Sequence, residues 1–154
     1  MADPGALALE RLPGRPGDGL EAALALRLPS EVGLVDTVVE LFARHCFDGR
    51  QSSRHSLFRL RVSLAEALAN AIQCGNDCDP AKIVQVQAEL FVDHIRLRVS
   101  DEGPGFDPSL VPDPRDPEML ESPCGRGLFI IRHLAERVEF NEKGNTIWMT
   151  LPRR

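Results

Sequence analysis

The fold is decided by the stretch LAEALANAIQ at residues 64–73. Its apolar residues recur at helical spacing, which predicts an amphipathic helix with one buried face. Glu66 and Asn70 are one helical turn apart, so they project side by side from the opposite face. We therefore predict a helix from about residue 55 to 74 that carries a polar pair on its outer side.

The pair Glu66 and Asn70 has two interpretations on its own. An adjacent carboxylate and carboxamide can hold a hydrated Mg²⁺ and provide a base, because Mg²⁺ takes few protein ligands and keeps several waters. The same residues also fit an ordinary polar helix face. A choice between the two needs support from elsewhere in the chain.

A second motif, DEGPG at residues 101–105, directly follows a strand pattern. The carboxylate of Asp101 at a strand end can accept a hydrogen bond from an exocyclic amine. Gly103 and Gly105 allow a ligand to approach the backbone without interference from a Cβ atom. The alternative is an acidic turn with no ligand.

A third motif, GRG at residues 125–127, opens a helix pattern. Free backbone amides and the positive end of the helix dipole, with Arg126 beside them, suit a phosphate group. The alternative is a glycine-rich loop that ends at a helix start. The motif is neither a Walker A loop, since no Gly-Lys-Ser/Thr follows, nor a Rossmann fingerprint, whose strand–loop–helix spacing differs.

The remaining periodicity gives the order β-α-α-β-β-loop-α-β-β. The predicted elements are strand 21–28, a helix capped by Ser30 and ending near Cys46, helix 55–74, strands 84–90 and 95–99, a helix from 125, and a hairpin of 138–140 with 147–151. This mixture predicts an α+β fold, a two-layer sandwich whose mixed, mostly antiparallel sheet is covered by helices on one face.

Composition limits the class of protein. The chain has 154 residues, 43% hydrophobic and 27% charged, which excludes wholesale disorder, collagen and coiled coil. A net charge of −5 argues against direct nucleic-acid binding through phosphate neutralisation. Without a signal peptide, a long apolar run or a disulfide framework, we predict a cytoplasmic protein with reduced thiols and no membrane association.

Together, the motifs at residues 64–73, 101–107 and 125–131 resemble the N, G1 and G2 boxes of the Bergerat-fold ATPases. That superfamily includes gyrase B, the mismatch-repair ATPases and the sensor histidine kinases. Within it, the motifs look most like those of the compact anti-sigma-factor serine kinases of bacteria. The similarity spans about residues 21–151 and implies the Bergerat ATP-binding fold, with ATP and Mg²⁺ as cofactors.

The resemblance also implies roles for single residues. Glu66 matches the general base of the family, and Asn70 matches its Mg²⁺ ligand. Asp101 matches the carboxylate that recognises adenine, and Thr146 matches a threonine often found near the adenine. Cys74 departs from the pattern, because related kinases frequently carry histidine after the N box.

The glycines match the parts of the family's site that surround the nucleotide. Gly103 and Gly105 match the floor beneath it. Gly125, Arg126 and Gly127 match the phosphate-binding end of the ATP lid.

The resemblance predicts an ATP-dependent serine-protein kinase that phosphorylates a small anti-sigma-factor antagonist and sequesters a sigma factor, working as a homodimer. One alternative is an ATP-gated protein-binding module that does not transfer phosphate. Another is a stand-alone ATPase. A histidine-kinase role is disfavoured, because none of the histidines stands on a long dimerisation hairpin.

Proline and glycine divide the chain further. Residues 1–19 are predicted to be a flexible Gly/Pro-rich leader, and residues 20–154 the histidine-kinase-like ATPase domain. Six prolines lie between Gly103 and Gly125, in the segment that matches the ATP lid at about residues 103–125. We predict that this lid hinges near its glycines.

Overall fold

The computed structural model describes residues 7–15, 17–47, 53–107 and 123–153. Most of the predicted ATP lid, residues 108–122, lies outside the described residues, as do residues 1–6 of the predicted leader. The side chains of residues 123 and 124 are also outside the description.

One antiparallel sheet of six strands, in the order β1-β2-β3-β4-β6-β5, forms the first layer of the described chain. The strands are β1 (Glu10–Arg15), β2 (Leu20–Pro29), β3 (Ile83–Leu90), β4 (His94–Ser100), β5 (Arg137–Phe140) and β6 (Thr146–Pro152). All the pairings between them are antiparallel. The predicted α+β class with a largely antiparallel sheet is confirmed.

Helices form the second layer. They are α1 (Val35–Cys46), α2 (Arg54–Asn70) and α3 (Pro123–Leu134). A 3₁₀ turn at Val32–Leu34 precedes α1, and a π-helical turn at Ala71–Gly75 extends α2. The hydroxyl of Ser53 caps α2 by accepting a hydrogen bond from the backbone amide of Ser56.

The core lies between the helices and one face of the sheet. Alternate residues of β2 are buried, and the equivalent residues of β3 and β4 are completely buried. The leucine stripe of α2 faces them, with Leu60, Leu64 and Leu68 fully enclosed. Each such side chain contributes about 1.5–3 kcal/mol by leaving water, so this packing fixes the height and rotation of α2 over the sheet.

The predicted leader is wrong for residues 10–15. These residues form the edge strand β1, which pairs with β2 from Glu10 opposite Ala25 to Arg15 opposite Leu20. Proline is tolerated on an edge strand because an outward-facing position needs no ladder donor, so Pro13 did not exclude a strand here.

The predicted cap of α1 is also wrong. Leu34 occupies the N-cap position without a side-chain hydrogen bond. Ser30 is buried instead, and its hydroxyl donates to the carbonyl oxygen of Lys82 at 2.7 Å. A tertiary partner has therefore replaced the local one.

The cysteines divide into two states. Cys46 is buried and Cys78 is exposed, and both are free thiols. Cys74 takes part in a disulfide, so the prediction of reduced thiols is wrong at this residue.

No helix among the described residues is long and apolar enough to cross a membrane.

Candidate functional site

The polar pair on α2 meets the start of α3. Glu66 and Asn70 are both half-buried. A Cβ atom built on Gly127 would lie 2.7 Å from Oε2 of Glu66 and 3.1 Å from both polar atoms of the Asn70 amide. Glycine at this position therefore lets α3 approach these two side chains in their present positions, and a larger residue would displace them. The structure brings Glu66, Asn70 and Gly127 together, as the motifs predicted.

The first turn of α3 offers features suited to an anion. The helix begins at Pro123, so Gly125 and Arg126 lie in this turn and Gly127 directly follows it, and the turn contains no acidic residue. Unpaired backbone amides and the positive end of the helix dipole favour negative charge at such a position. Arg126 is exposed beside them, so its guanidinium is accessible to a ligand from solvent.

Asp101 lies at the end of β4, next to the π-helical turn that follows Asn70. A Cβ atom on Gly75 would meet the Asp101 carboxylate at 2.3–2.5 Å. A Cβ atom on Gly103 would lie 2.0 Å from the carbonyl oxygen of Gly75. Two glycines thus let the end of α2 pack directly on the 101–103 segment, so the helix with Glu66 and the strand end with Asp101 form one continuous surface.

The Asp101 carboxylate is half-buried and held by its own turn. Its Oδ1 accepts a hydrogen bond from the backbone amide of Gly103 at 2.8 Å. Burial raises the pKa of Asp101, and the Gly103 hydrogen bond and the charges of Lys143 and Lys82 oppose this rise. Among the described residues, no donor forms a hydrogen bond to Oδ2.

Gly105 contacts the turn before β6. Gly105 and Gly144 have φ angles of +77° and +81°, a region that favours glycine. A Cβ atom on Gly105 would lie 2.0 Å from the carbonyl oxygen of Lys143, and one on Gly144 would lie 1.9 Å from that of Phe106. The 105–106 segment therefore rests on the 143–144 turn, which sets where the chain leaves Asp101 toward the predicted lid.

Thr146 is next to this turn but contacts a different residue. Its hydroxyl lies 2.9 Å from the hydroxyl of Ser100, its partner in the β4–β6 ladder. Met149 and Leu151 of β6 are fully buried on the face of the sheet that the helices cover. Thr146 is an odd number of residues away from both, so it points to the opposite, uncovered face. A contact between Thr146 and adenine stays a prediction.

Two asparagines near Asp101, Asn141 and Asn145, were not predicted from the sequence to be part of the site. The side-chain amide of Asn145 donates to the carbonyl oxygens of Asp101 at 3.3 Å and Gly103 at 3.4 Å. The backbone carbonyl oxygen of Asn145 accepts a hydrogen bond from the backbone amide of Asp101 at 3.0 Å. Asn141 shapes the turn, because its Oδ1 accepts from the amides of residues 144, 145 and 146. Asparagine is common in turns, so the sequence offered only a turn signal for both.

The donors available for a metal are few. Within the described residues, no group of three or more His, Cys, Asp or Glu side chains could hold a metal ion. In proteins Mg²⁺ commonly takes one or two protein ligands and keeps several waters. Asn70, with Glu66 beside it, provides oxygen ligands of the required kind.

These features form a candidate ligand site between a helix pair and a strand end. A model of the histidine kinase-like ATPase domain matches residues 28–151 of the chain. That range covers most of the sequence, so the chain belongs to the histidine kinase-like ATPase family, and its domain implies ATP binding. The predicted family is thereby confirmed.

Two similar curated proteins are a serine-protein kinase and an anti-sigma factor. The chain is 27% identical over 97 residues to the serine-protein kinase RsbW of Oceanobacillus iheyensis, across 59% of this chain and 61% of that protein. It is 28% identical over 97 residues to the anti-sigma F factor of Clostridium perfringens, across 58% of this chain and 68% of that protein. The match thus spans less than two thirds of the length of the RsbW protein.

Proposed function

We propose that this protein is an ATP-dependent serine-protein kinase that acts as an anti-sigma factor. It would phosphorylate a small antagonist protein and sequester a sigma factor in a partner-switching pathway. The observation that carries this proposal is the meeting of Glu66 and Asn70 with Gly127 at the start of α3. A base, a metal ligand and a phosphate-binding helix end thus converge at one point. The names of the two similar proteins support the choice of partners.

ATP would lie between the two ends of this site. Asp101 accepts a hydrogen bond from the adenine amine through Oδ2. Gly103 and Gly105 leave room beneath the base and sugar. The first-turn amides of α3 and Arg126 hold the terminal phosphate, because these donors face developing negative charge.

Phosphate transfer then requires one base. The Oγ atom of a serine on the antagonist forms a bond to the γ-phosphorus, and the bond from this phosphorus to the bridging oxygen of ADP breaks. Glu66 accepts the proton that the serine hydroxyl loses. Asn70 would hold Mg²⁺, which neutralises phosphate charge when bound.

Substitution of the base tests the proposal. The Glu66→Gln variant keeps the size of the side chain and removes the proton acceptor. We expect it to retain the rise in melting temperature with Mg·ATP and to lose labelling of candidate antagonists, read by mass spectrometry. The matched control is Glu136→Gln, an exposed glutamate just beyond the C-terminal end of α3, which should leave transfer unchanged.

Two other outcomes would change the conclusion. A wild-type protein that binds ATP and a partner without transferring phosphate would be the ATP-gated binding module. A wild-type protein whose melting temperature does not respond to Mg·ATP would contradict both functions. Sedimentation at several concentrations would test the homodimer that we propose for the active protein.

A further inference from the structure

Asn76 is a buried polar residue next to the nucleotide site that the proposed mechanism does not use. It follows the π-helical turn at the end of α2 and is 0% exposed. Its backbone amide donates to the carbonyl oxygen of Ala71 at 2.8 Å, which ties it to that turn. A buried amide side chain is costly unless its donors and acceptor are satisfied, so its partners show what it does.

The side chain of Asn76 connects three segments. Its Oδ1 accepts a hydrogen bond from the backbone amide of Glu102 at 2.8 Å. Its Nδ2 donates to the hydroxyl of Ser30 at 2.8 Å and to the carbonyl oxygen of Ile83 at 3.3 Å. Asn76 therefore fixes the residue after Asp101 to the end of β2 and the start of β3.

The surrounding contacts make this arrangement rigid. Ser30 in turn donates to the carbonyl oxygen of Lys82. The Glu102 carboxylate accepts from the backbone amide of Ile83, so Glu102 is held through both its backbone and its side chain. The amide of Asn76 is thus held in one orientation, because the Glu102 backbone amide can only donate to its Oδ1 and the Ile83 carbonyl oxygen can only accept from its Nδ2.

The peptide that Asn76 holds joins Asp101 to Glu102. Rotation of this peptide would turn the Asp101 side chain, whose Oδ1 is already bound to the Gly103 amide on the other side. We infer that Asn76 is a positioning residue for base recognition: by holding the Glu102 amide, it directs the Asp101 carboxylate toward the amine of adenine. This inference rests on the proposed binding of ATP.

The experiment compares ATP with inosine triphosphate, which carries a carbonyl oxygen in place of the exocyclic amine. Affinities of the full chain for both nucleotides with Mg²⁺ are measured by calorimetry, well below the melting temperature of each variant. Wild-type protein should prefer ATP, and Asp101→Ala should lose this preference. Asn76→Ala should lower the ratio of the two affinities by about tenfold, the effect of misplacing one charged hydrogen bond.

Three further variants separate positioning from general stability. Asn76→Asp keeps the acceptor for the Glu102 amide and should retain most of the preference for ATP. Ser30→Ala removes one partner of the Asn76 amide and should lower the ratio by a smaller factor, about threefold. Arg153→Met removes a buried residue at the opposite end of β4, so it should lower the melting temperature and leave the ratio unchanged.

The outcomes distinguish the two proposals. If wild-type protein does not bind ATP, the proposed function fails. If wild-type protein prefers ATP and Asp101→Ala abolishes the preference, while Asn76→Ala and Ser30→Ala both keep the wild-type ratio, the positioning role alone is overturned. A folded Ser30→Ala protein keeps the test decisive even if Asn76→Ala does not fold.

Discussion

Gly127 of α3 lies against Glu66 of α2 so closely that a Cβ atom on the glycine would be 2.7 Å from Oε2 of the carboxylate. The glycine thus acts as a spacer whose missing side chain leaves room for a functional group. It also allows the start of α3 to meet Glu66 and Asn70 of α2, the proposed base and the proposed metal ligand.

This contact predicts that Gly127→Ala lowers activity far more than it lowers stability. Alanine favours a helix over glycine by up to about 1 kcal/mol, so the melting temperature should not fall far. The added methyl group must push the Glu66 carboxylate aside, and we expect phosphate transfer to drop on the order of tenfold. Gly33→Ala is the matched control, because a Cβ atom there meets nothing within 4 Å. Equal transfer by Gly127→Ala and wild type would contradict the spacer role.

A second prediction concerns Asp101 and pH. Because burial raises its pKa in the folded protein, the folded state binds a proton more readily than the unfolded state does. Stability therefore falls as the pH rises through the interval from the unfolded to the folded pKa, and the cost persists above it. Asp101→Asn keeps the Oδ1 acceptor without the charge, so it should be more stable than wild type at about pH 7.

The measurement is the free energy of unfolding in urea for both proteins across this range. The advantage of Asp101→Asn should shrink as the pH falls through the folded pKa toward the ordinary aspartate pKa of about 4. The variant should also lose the stabilisation by Mg·ATP, because an amide cannot replace both carboxylate oxygens. An advantage that grows on acidification would show that the sign is wrong.

A third prediction concerns the buried Arg153, which is 5% exposed. Its Nη1 atom donates to the carboxylate of Glu21 at 2.6 Å and to the backbone carbonyl oxygen of Phe91 at 2.7 Å. Its Nε atom donates to the backbone carbonyl oxygen of Cys46 at 3.0 Å. Arg153→Met removes all of these hydrogen bonds and the buried ion pair with Glu21, and it should cost about 2–4 kcal/mol of unfolding free energy.

The matched control is Arg137→Met. Arg137 forms an ion pair with Glu139 but its side chain is 73% exposed, so the loss should be below about 1 kcal/mol. Chemical denaturation of both variants measures the difference. Similar losses for the two substitutions would mean that burial of Arg153 adds nothing.

A fourth prediction uses backbone strain in the loop after Asn76. Cys78 has a φ angle of +55°, in the left-handed region that a residue with a Cβ atom occupies at a cost of about 1 kcal/mol or more. Cys78→Gly should therefore raise the free energy of unfolding by a fraction of that amount, since glycine also gains entropy in the unfolded chain.

Ala81→Gly provides the opposite control in the same loop. Ala81 is exposed and does not have a positive φ angle, so glycine brings only the entropic cost and should destabilise the protein. Thermal unfolding of the pair should give changes of opposite sign. A loss of stability in both variants would rule out strain at Cys78.

The sequence by itself determined which side chains of this site share a helix face or lie at a strand end. Helical periodicity placed Glu66 and Asn70 on one face of α2, and strand periodicity placed Asp101 at the end of β4. These predictions succeeded because the repeat of a helix or a strand is a short-range property of consecutive residues. The glycine motifs indicated where backbone must approach closely, although not what it approaches.

The tertiary structure decided which groups meet. Asn76 and Ser30 are 46 residues apart in sequence, and their hydrogen bond depends on the register of β2 against β3. Ser30 was predicted to cap α1 because the serine directly precedes a helical pattern in the sequence. Its actual partners, Lys82 and Asn76, are distant in sequence and could not be inferred from it. Residues 10–15 were predicted to belong to a flexible leader because their composition does not favour a strand. This edge strand is stabilised by its pairing with β2 rather than by its own composition. Long-range pairing and packing decide such positions, and no local periodicity encodes them.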